Sequence, residues 1–248
     1  MTTFRLARFL ARAGVASRRG AAELVAAGRV AINGAPPRGP GDPVDPATDR
    51  VTLDGRTLAM AETVWLAIHK PPGYITSRCG TPRYPSIFTL LERAPQALVA
   101  VGRLDVYSEG LLLCTTDGDA ANRLMHPRWQ VPRTYRVEVT GRLGRDAKSA
   151  LAHGVPVGDD VPARPSEWRF RPTARGGVLE LVLREGRTRV VRRLTEALGL
   201  GVRSLVRTQY GPVALGALER GQSRRLGARE TAAVYAAIGL PQPPSLSR

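Results

Sequence analysis

The segment GRLDVYSEGLLLCTTDGDAANRLMHP, from Gly102 to Pro127, constrains this chain more than any other, because it sets a strand, an acid, a second strand and a capped helix in one short stretch. Upstream, ALVAVGRL reads as a strand leaving a core, since Leu98, Val99 and Val101 are apolar and β-branched residues suit a pleated surface. Asp105 ends it. Gly110 introduces the apolar run LLLC, and TTDGD supplies turn and N-cap oxygens ahead of a helix, AANRLMH, that Pro127 closes. A lone Asp at a strand end is ordinarily a turn former or a helix cap. Glu109, four residues on, invites comparison with the paired acids of a glycosidase. Ser108 and Gly110 do not read as helix, however, so that spacing fixes no common face.

With 248 residues, 43% of them hydrophobic, the chain has room for one large domain and one small one. No apolar run approaches the ~20 residues a bilayer crossing needs. The N-terminal MTTFRLARFLARAG has neither an h-region nor a cleavage site, so a cytoplasmic protein without a membrane partner is expected. Cys79 and Cys114 form no CxxC and the three histidines are scattered, which predicts neither disulfide framework nor metal site. Charge is more telling: 37 Lys plus Arg against 21 Asp plus Glu leaves +16, a field that attracts a polyanion. Only Lys70 and Lys148 are lysines, so the cations are almost all guanidinium groups that can grip phosphate bidentately. The base composition of the gene explains Arg over Lys equally well, but not the net excess. Aromatic residues at 5% favour a protein that holds folded nucleic acid by its backbone over a single-strand binder built on stacked rings.

Residues 1–61 read as a separate module. FRLARFLARAGV is a short helix stopped by Gly14, and Ser17 caps a second, RRGAAELVAAG, with Ala21, Leu24 and Val25 as its apolar stripe. Arg18 and Arg19 in its first turn oppose the helix dipole, which suggests work outside the helix, although a solvated face is the default for a charge pair. Asn33-Gly34 and Asp54-Gly55 mark hairpin-type turns, and GAPPRGPGDPVDPATDR between them is a loop. The run AGVASRRGAAELVAAGRVAINGAPP resembles the αL RNA-binding motif, a small domain shared by a small-subunit ribosomal protein, some tRNA synthetases and several RNA-modifying enzymes. That resemblance implies an RNA face carrying Arg5, Arg18, Arg19 and Arg29.

Residues 62–240 form the second domain, and 241–248 a frayed tail. VWLAI is a strand, followed by HKPPGYITSR, in which Lys70 either closes a strand before a Pro-Pro-Gly turn or reaches a phosphate. VPRTYRVEVTG alternates, placing Tyr135, Val137 and Val139 on one face, so Tyr135 is either a structural ring or one that stacks on a base in a cleft. GRDAKSALAHG is a helix, and EWRFRP and GVLELVLREG are strands joined by TARGG. In REGRTRVVRRLTEALGL, Val190, Val191, Leu194, Ala197 and Leu198 make a helical stripe with Arg189 and Arg192 lying off it. Seven arginines against two glutamates lie between Arg184 and Arg207, where a strand sets Arg203, Leu205 and Arg207 on one face. ARETAAVYAAIGL is a terminal helix.

GRLD at 102–105, KPPG at 70–73, TYRV at 134–137, EGRTRVVRRL at 185–194 and YGP at 210–212, in this order and with the N-terminal module, resemble the pseudouridine synthases of the RsuA family. Two positions depart: Val190 stands where that family usually has glutamine, and Tyr107 where it often has a short polar residue. The resemblance implies an α+β fold, in which the small α/β RNA-binding module precedes a domain with a central, mostly antiparallel mixed sheet flanked by helices. It implies an isomerase, without cofactor or metal, that converts a uridine of ribosomal RNA to pseudouridine. Asp105 would act on the nucleoside, Tyr135 would stack on the base, Arg192 would pair with Asp105 and Leu205 would pack against the base. Lys70, Arg103, Arg189 and Arg207 join the expected RNA contacts. The expected partner is large-subunit rRNA, more than small-subunit rRNA, or a ribosome-assembly intermediate, and the protein is expected to be a monomer. A non-catalytic RNA-binding or ribosome-assembly protein is the alternative, and a glycosylase that frees the base a more distant one.

Overall fold

The computed structural model describes residues 3–91 and 94–242; the sequence from 243 to the end, most of the expected tail, lies outside the described residues. In the N-terminal module, β1 (Phe4–Arg5) leads into α1 (Leu6–Arg12), then α2 (Arg18–Ala26), β2 (Val30–Ile32), β3 (Pro43–Val44), β4 (Val51–Leu53) and β5 (Arg56–Thr57). Leu6, Phe9 and Leu10 of α1 bury against Ala21, Val30, Val44 and Val51. Ser17 caps α2 by accepting from the Gly20 amide at 3.0 Å. Asn33 and Asp54 adopt φ of 52° and 49°, each followed by a positive-φ glycine, as two-residue hairpin turns require. The Pro-rich stretch expected as pure loop contributes β3, which pairs with β1 through Phe4↔Val44.

The second part of the chain continues with β6 (Trp65–Lys70), β7 (Val99–Ala100), β8 (Glu109–Thr115), α3 (Gly118–Met125), β9 (Arg133–Thr140), α4 (Ala147–His153), β10 (Glu167–Thr173) and β11 (Gly176–Leu183). It closes with α5 (Val190–Ala197), β12 (Gly201–Tyr210), β13 (Val213–Ala214), β14 (Ser223–Arg225) and α6 (Ala228–Ala237). Nine strands make one mixed sheet in the order β10-β11-β9-β12-β8-β6-β14, with β13 on β12 and β7 on β8. Every pairing is antiparallel except β8 with β12.

β8 is the axis of this sheet. Its unbroken apolar run is buried on both faces, Leu111 and Leu113 entering one core with Trp65, Leu124 and Tyr235, and Leu112 and Cys114 another with Ile68, Ile87 and Leu98. A third core, under β9, β11 and β12, takes Val137, Leu179, Leu181 and the stripe of α5, Val190, Val191 and Leu194. Asp117 caps α3, its Oδ1 accepting from the Asp119 and Ala120 amides at 3.1 and 3.2 Å, while Tyr235 of α6 donates to its Oδ2 at 2.8 Å.

One expectation needs correction. ALVAVGRL is not a long strand ending at Asp105: only Val99–Ala100 is strand, paired with Thr115 and Cys114 of β8. Leu98, Val101 and Leu104 are buried singly, and Gly102, at φ 78°, turns the chain out of the ladder. Asp105 thus sits in the loop joining β7 to β8.

The two parts of the chain touch. The Ala61 amide donates to the Arg12 carbonyl at 3.1 Å, and Arg12 Nη2 donates to Thr63 Oγ1 at 2.8 Å. Arg8 and Arg18 both reach Asp119 at the start of α3, at 2.5 and 2.9 Å.

Candidate active site

The loop that carries Asp105 is held through its backbone. Lys70 Nζ donates to the carbonyls of Asp105 at 3.0 Å, Val106 at 3.2 Å, Ser108 at 2.8 Å and its own neighbour Pro71 at 3.1 Å. The Gly73 amide donates to the Val106 carbonyl at 2.8 Å, and the Ser108 amide to that of Asp105 at 3.0 Å. Lys70 is 0% exposed, so it is no phosphate contact; its ammonium fastens the loop from beneath. Burial is the main reason its pKa drops to about 8, and the charges of Asp105 and Glu109 work against that fall.

Above this loop lies an open cavity of about 1050 Å³. Among the described residues its lining includes seven arginines (78, 103, 133, 187, 189, 192 and 207) and a single carboxylate, the half-buried Asp105. Tyr135 and Leu205, only 7% and 5% exposed, line it as well. Sheet register explains why these residues meet. Tyr135 on β9 lies opposite Arg207 on β12, Arg207 lies beside Gly110 on β8, and Gly110 lies opposite Lys70 on β6. One lateral row of the sheet therefore runs beneath the cavity from the aromatic ring to the lysine that holds the acid's loop. Gly110, at φ 110°, lets β8 and β12 approach: a Cβ there would stand 2.4 Å from the Arg207 carbonyl oxygen.

The arginines divide by their partners. Arg192 is not paired with Asp105; its Nη2 donates to the Tyr107 carbonyl at 3.0 Å and to Ser108 Oγ at 3.4 Å. Burial and then Arg189 push the Arg192 pKa down, while the negative charge of Asp105 pushes it back up, so the two groups act on each other through space. The expected ion pair is thus an electrostatic neighbour that shapes the loop through a carbonyl. Arg207 is 3% exposed and donates from Nε to the Leu111 carbonyl at 2.8 Å, so it is a wall of the cavity and not a surface hand for phosphate. Its buried Nη2 has no hydrogen-bond partner among the described residues. Arg189, exposed and at φ 54°, precedes α5 in a left-handed conformation uncommon for a side chain of this kind. Arg103 is exposed at the mouth.

Of the residues expected on the N-terminal RNA face, Arg5 and Arg19 are exposed. Arg18 is tied to Asp119, and Arg29 forms a fork on Asp54 at 3.0 and 2.5 Å, so neither is a free cation. Glu109 does not join Asp105: it is buried beside His69, 2.9 Å from His69 Nε2, and accepts from the exposed Arg220 at 2.7 Å. Sequence reasoning missed Arg133 and Tyr210. Arg133 Nη2 donates to the Tyr210 hydroxyl at 2.9 Å, and the guanidinium carbons of Arg133 and Arg207 lie 4.8 and 4.9 Å from the Tyr210 ring centre. The alternation that placed Tyr135 places Arg133 two residues earlier on the same face, so that signal was present.

Comparison with known proteins fits this geometry. Residues 64–197 match the RNA pseudouridylate synthase family, and residues 4–56 match the S4 domain. An RNA pseudouridine synthase of Mycobacterium tuberculosis described as uncharacterized is 39% identical, covering 95% of this chain and 94% of its own length. One of Aquifex aeolicus, also described as uncharacterized, is 36% identical over the whole of both chains. The ribosomal large subunit pseudouridine synthase B of Bacillus subtilis is 33% identical, covering 91% of this chain and 93% of its own length. A crystal structure of a pseudouridylate synthase superposes with a TM-score of 0.64 at 28% identity, covering 93% of this chain and 99% of that one. Fold and cavity together define an RNA-modifying isomerase. The chain belongs to the RNA pseudouridylate synthase family, in the branch that carries an N-terminal S4 module.

Proposed function

We propose that the protein converts a uridine of large-subunit ribosomal RNA to pseudouridine, with Asp105 as the group that acts on the nucleoside. The single observation that carries this assignment is that Asp105 is the one carboxylate, among the described residues, lining an open cavity with seven arginines. Arg103 and Arg189, two exposed arginines of its lining, hold the phosphates around a nucleotide drawn out of its stack, and the buried ones keep the cavity positive. No described side chain donates to the Asp105 carboxylate, which leaves its oxygens free for the sugar. Tyr135 stacks on the uracil and Leu205 packs against it. In the reaction the bond from C1′ to N1 breaks, the uracil turns in place, C5 bonds to C1′, the C5 proton passes to solvent, and N1 takes up a proton, so the product is an isomer of the substrate. Arg192 keeps positive charge beside Asp105 and fixes the loop at the Tyr107 carbonyl. The choice of the large subunit follows the names of the relatives. The protein works in the cytoplasm as a monomer.

Asp105→Asn tests the assignment, read as tritium released from transcribed large-subunit rRNA carrying 5-tritiated uridine. Release is expected to fall below detection while RNA affinity stays within a few-fold. Continued release would remove Asp105 from the chemistry, and free uracil among the wild-type products would make the protein a glycosylase.

A further inference from the structure

Two tyrosines stand at the mouth of the cavity with no part in the chemistry just described. Tyr107 lies two residues beyond Asp105 and is 60% exposed, unusual for so large a ring. Tyr84 comes from the segment between β6 and β7. Their hydroxyls are 2.7 Å apart, and the rings meet edge to face at 89° with centroids 6.2 Å apart. The guanidinium carbon of Arg83 lies 5.2 Å from the Tyr84 ring centre. Both rings line the same cavity as Asp105.

Packing does not explain this pair, because Tyr107 buries little and belongs to none of the cores. Its backbone is nonetheless fixed on both sides. Arg192 holds its carbonyl, and Lys70 holds the carbonyls of Val106 and Ser108. A rigid backbone that presents an exposed aromatic ring offers that ring to a flat partner. An edge-to-face contact with Tyr84 supports Tyr107 while leaving ring surface open. We propose that Tyr107, buttressed by Tyr84, is the stacking platform for the unpaired nucleotide next to the target uridine. Drawing a uridine into the cavity strips its neighbour of a stacking partner, and a ring within about 7 Å of backbone from Asp105 is placed to replace it. Base on aromatic ring is sequence-tolerant, because every base has a π-face. Arg83 and Arg103 supply the positive charge that a strand leaving the mouth requires. This inference rests on the isomerase reading of Asp105.

Steady-state tritium release from the same transcribed large-subunit rRNA tests it. Tyr107→Ala is expected to raise KM about tenfold, within what base–aromatic stacking supplies, with far less change in kcat. Tyr107→Phe and Tyr107→Trp keep a ring and lose the hydroxyl contact, and are expected to recover most of the affinity. A wild-type KM in Tyr107→Ala would overturn the proposal, as would a loss confined to kcat. Equal damage in Tyr107→Phe and Tyr107→Ala would assign the effect to the hydroxyl and also overturn it. Those failures leave wild-type turnover intact, whereas a wild-type protein that releases no tritium refutes the isomerase reading and the platform together.

Discussion

At the scale of single residues, the site is organised by a cation that never meets solvent. Lys70 gives its hydrogen bonds to the carbonyls of Pro71, Asp105, Val106 and Ser108; those of Asp105 and Val106 also accept from an amide, so removing the ammonium costs the loop its shared anchor and takes a donor from the buried Ser108 carbonyl. Lys70→Met is expected to cost about 3 kcal/mol of stability and to lower kcat at least a hundredfold, because the loop loses its anchor while the carboxylate remains. Urea melts and tritium release check the two halves separately. The pKa carries a further consequence. Its folded value, about 8, lies below the ordinary 10.5, so between these values the unfolded chain holds more protons than the folded one. The contribution of this group to stability therefore rises as pH climbs through that window and is lowest where the ammonium is fully charged. The wild type should gain on Lys70→Met in unfolding free energy between pH 8 and pH 10, and parallel curves would place the charge in solvent. From sequence Lys70 was open between strand end and phosphate contact; only the register of β6 against β8, which sets Lys70 opposite Gly110, decides for the buried role.

At the scale of elements, β8 and β12 make the one parallel contact of the sheet, directly beneath the cavity. Gly110→Ala would place a methyl group 2.4 Å from the Arg207 carbonyl oxygen at a φ of 110°, which Ala tolerates poorly. The expected cost is about 3 kcal/mol, with activity lost in the fraction that stays folded because Arg207 and the Asp105 loop move apart. Stability equal to wild type would show that the strands separate without strain. Burial of the same strand has a chemical signature. Cys114 is buried in β8 with its thiol pushed up to about 12, mainly by burial, while Cys79 is exposed. Iodoacetamide at pH 8 should label Cys79 alone in the native protein and both thiols in urea, counted by mass spectrometry. Local patterns made much of this architecture legible: the LLLC run gave the central strand, the TTDGD oxygens gave the cap of α3, and the stripe from Val190 to Leu198 gave the buried face of α5 as far as Leu194, while Ala197 in its last turn is exposed. What stayed hidden was lateral. Nothing along the chain says that Tyr135 lies across from Arg207, or that ALVAVGRL yields only two residues of strand, because pairing between distant segments sets both.

At the scale of the molecule, a chain of net charge +16 is built to be held by RNA, and the two parts of the fold meet through charge. Arg8 and Arg18 of the N-terminal module converge on Asp119, a partly exposed carboxylate in the first turn of α3. Exposed pairs of this kind contribute about 0–1 kcal/mol each, and RNA phosphates compete for the same guanidinium groups. Asp119 therefore has two opposed effects. It steadies α3 through the helix dipole and clips the module to the catalytic domain, and it withholds two cations from the polyanion. Asp119→Asn should lower stability by no more than about 1 kcal/mol and tighten binding to RNA of unrelated sequence several-fold at low salt. Because the gain comes from freed cations, the variant should show the steeper fall of log affinity with log salt, and the advantage should vanish at high ionic strength. Filter binding across a salt series reads both quantities. An affinity gain that persists at high salt would mean that the substitution acts through a rearranged module and not through charge.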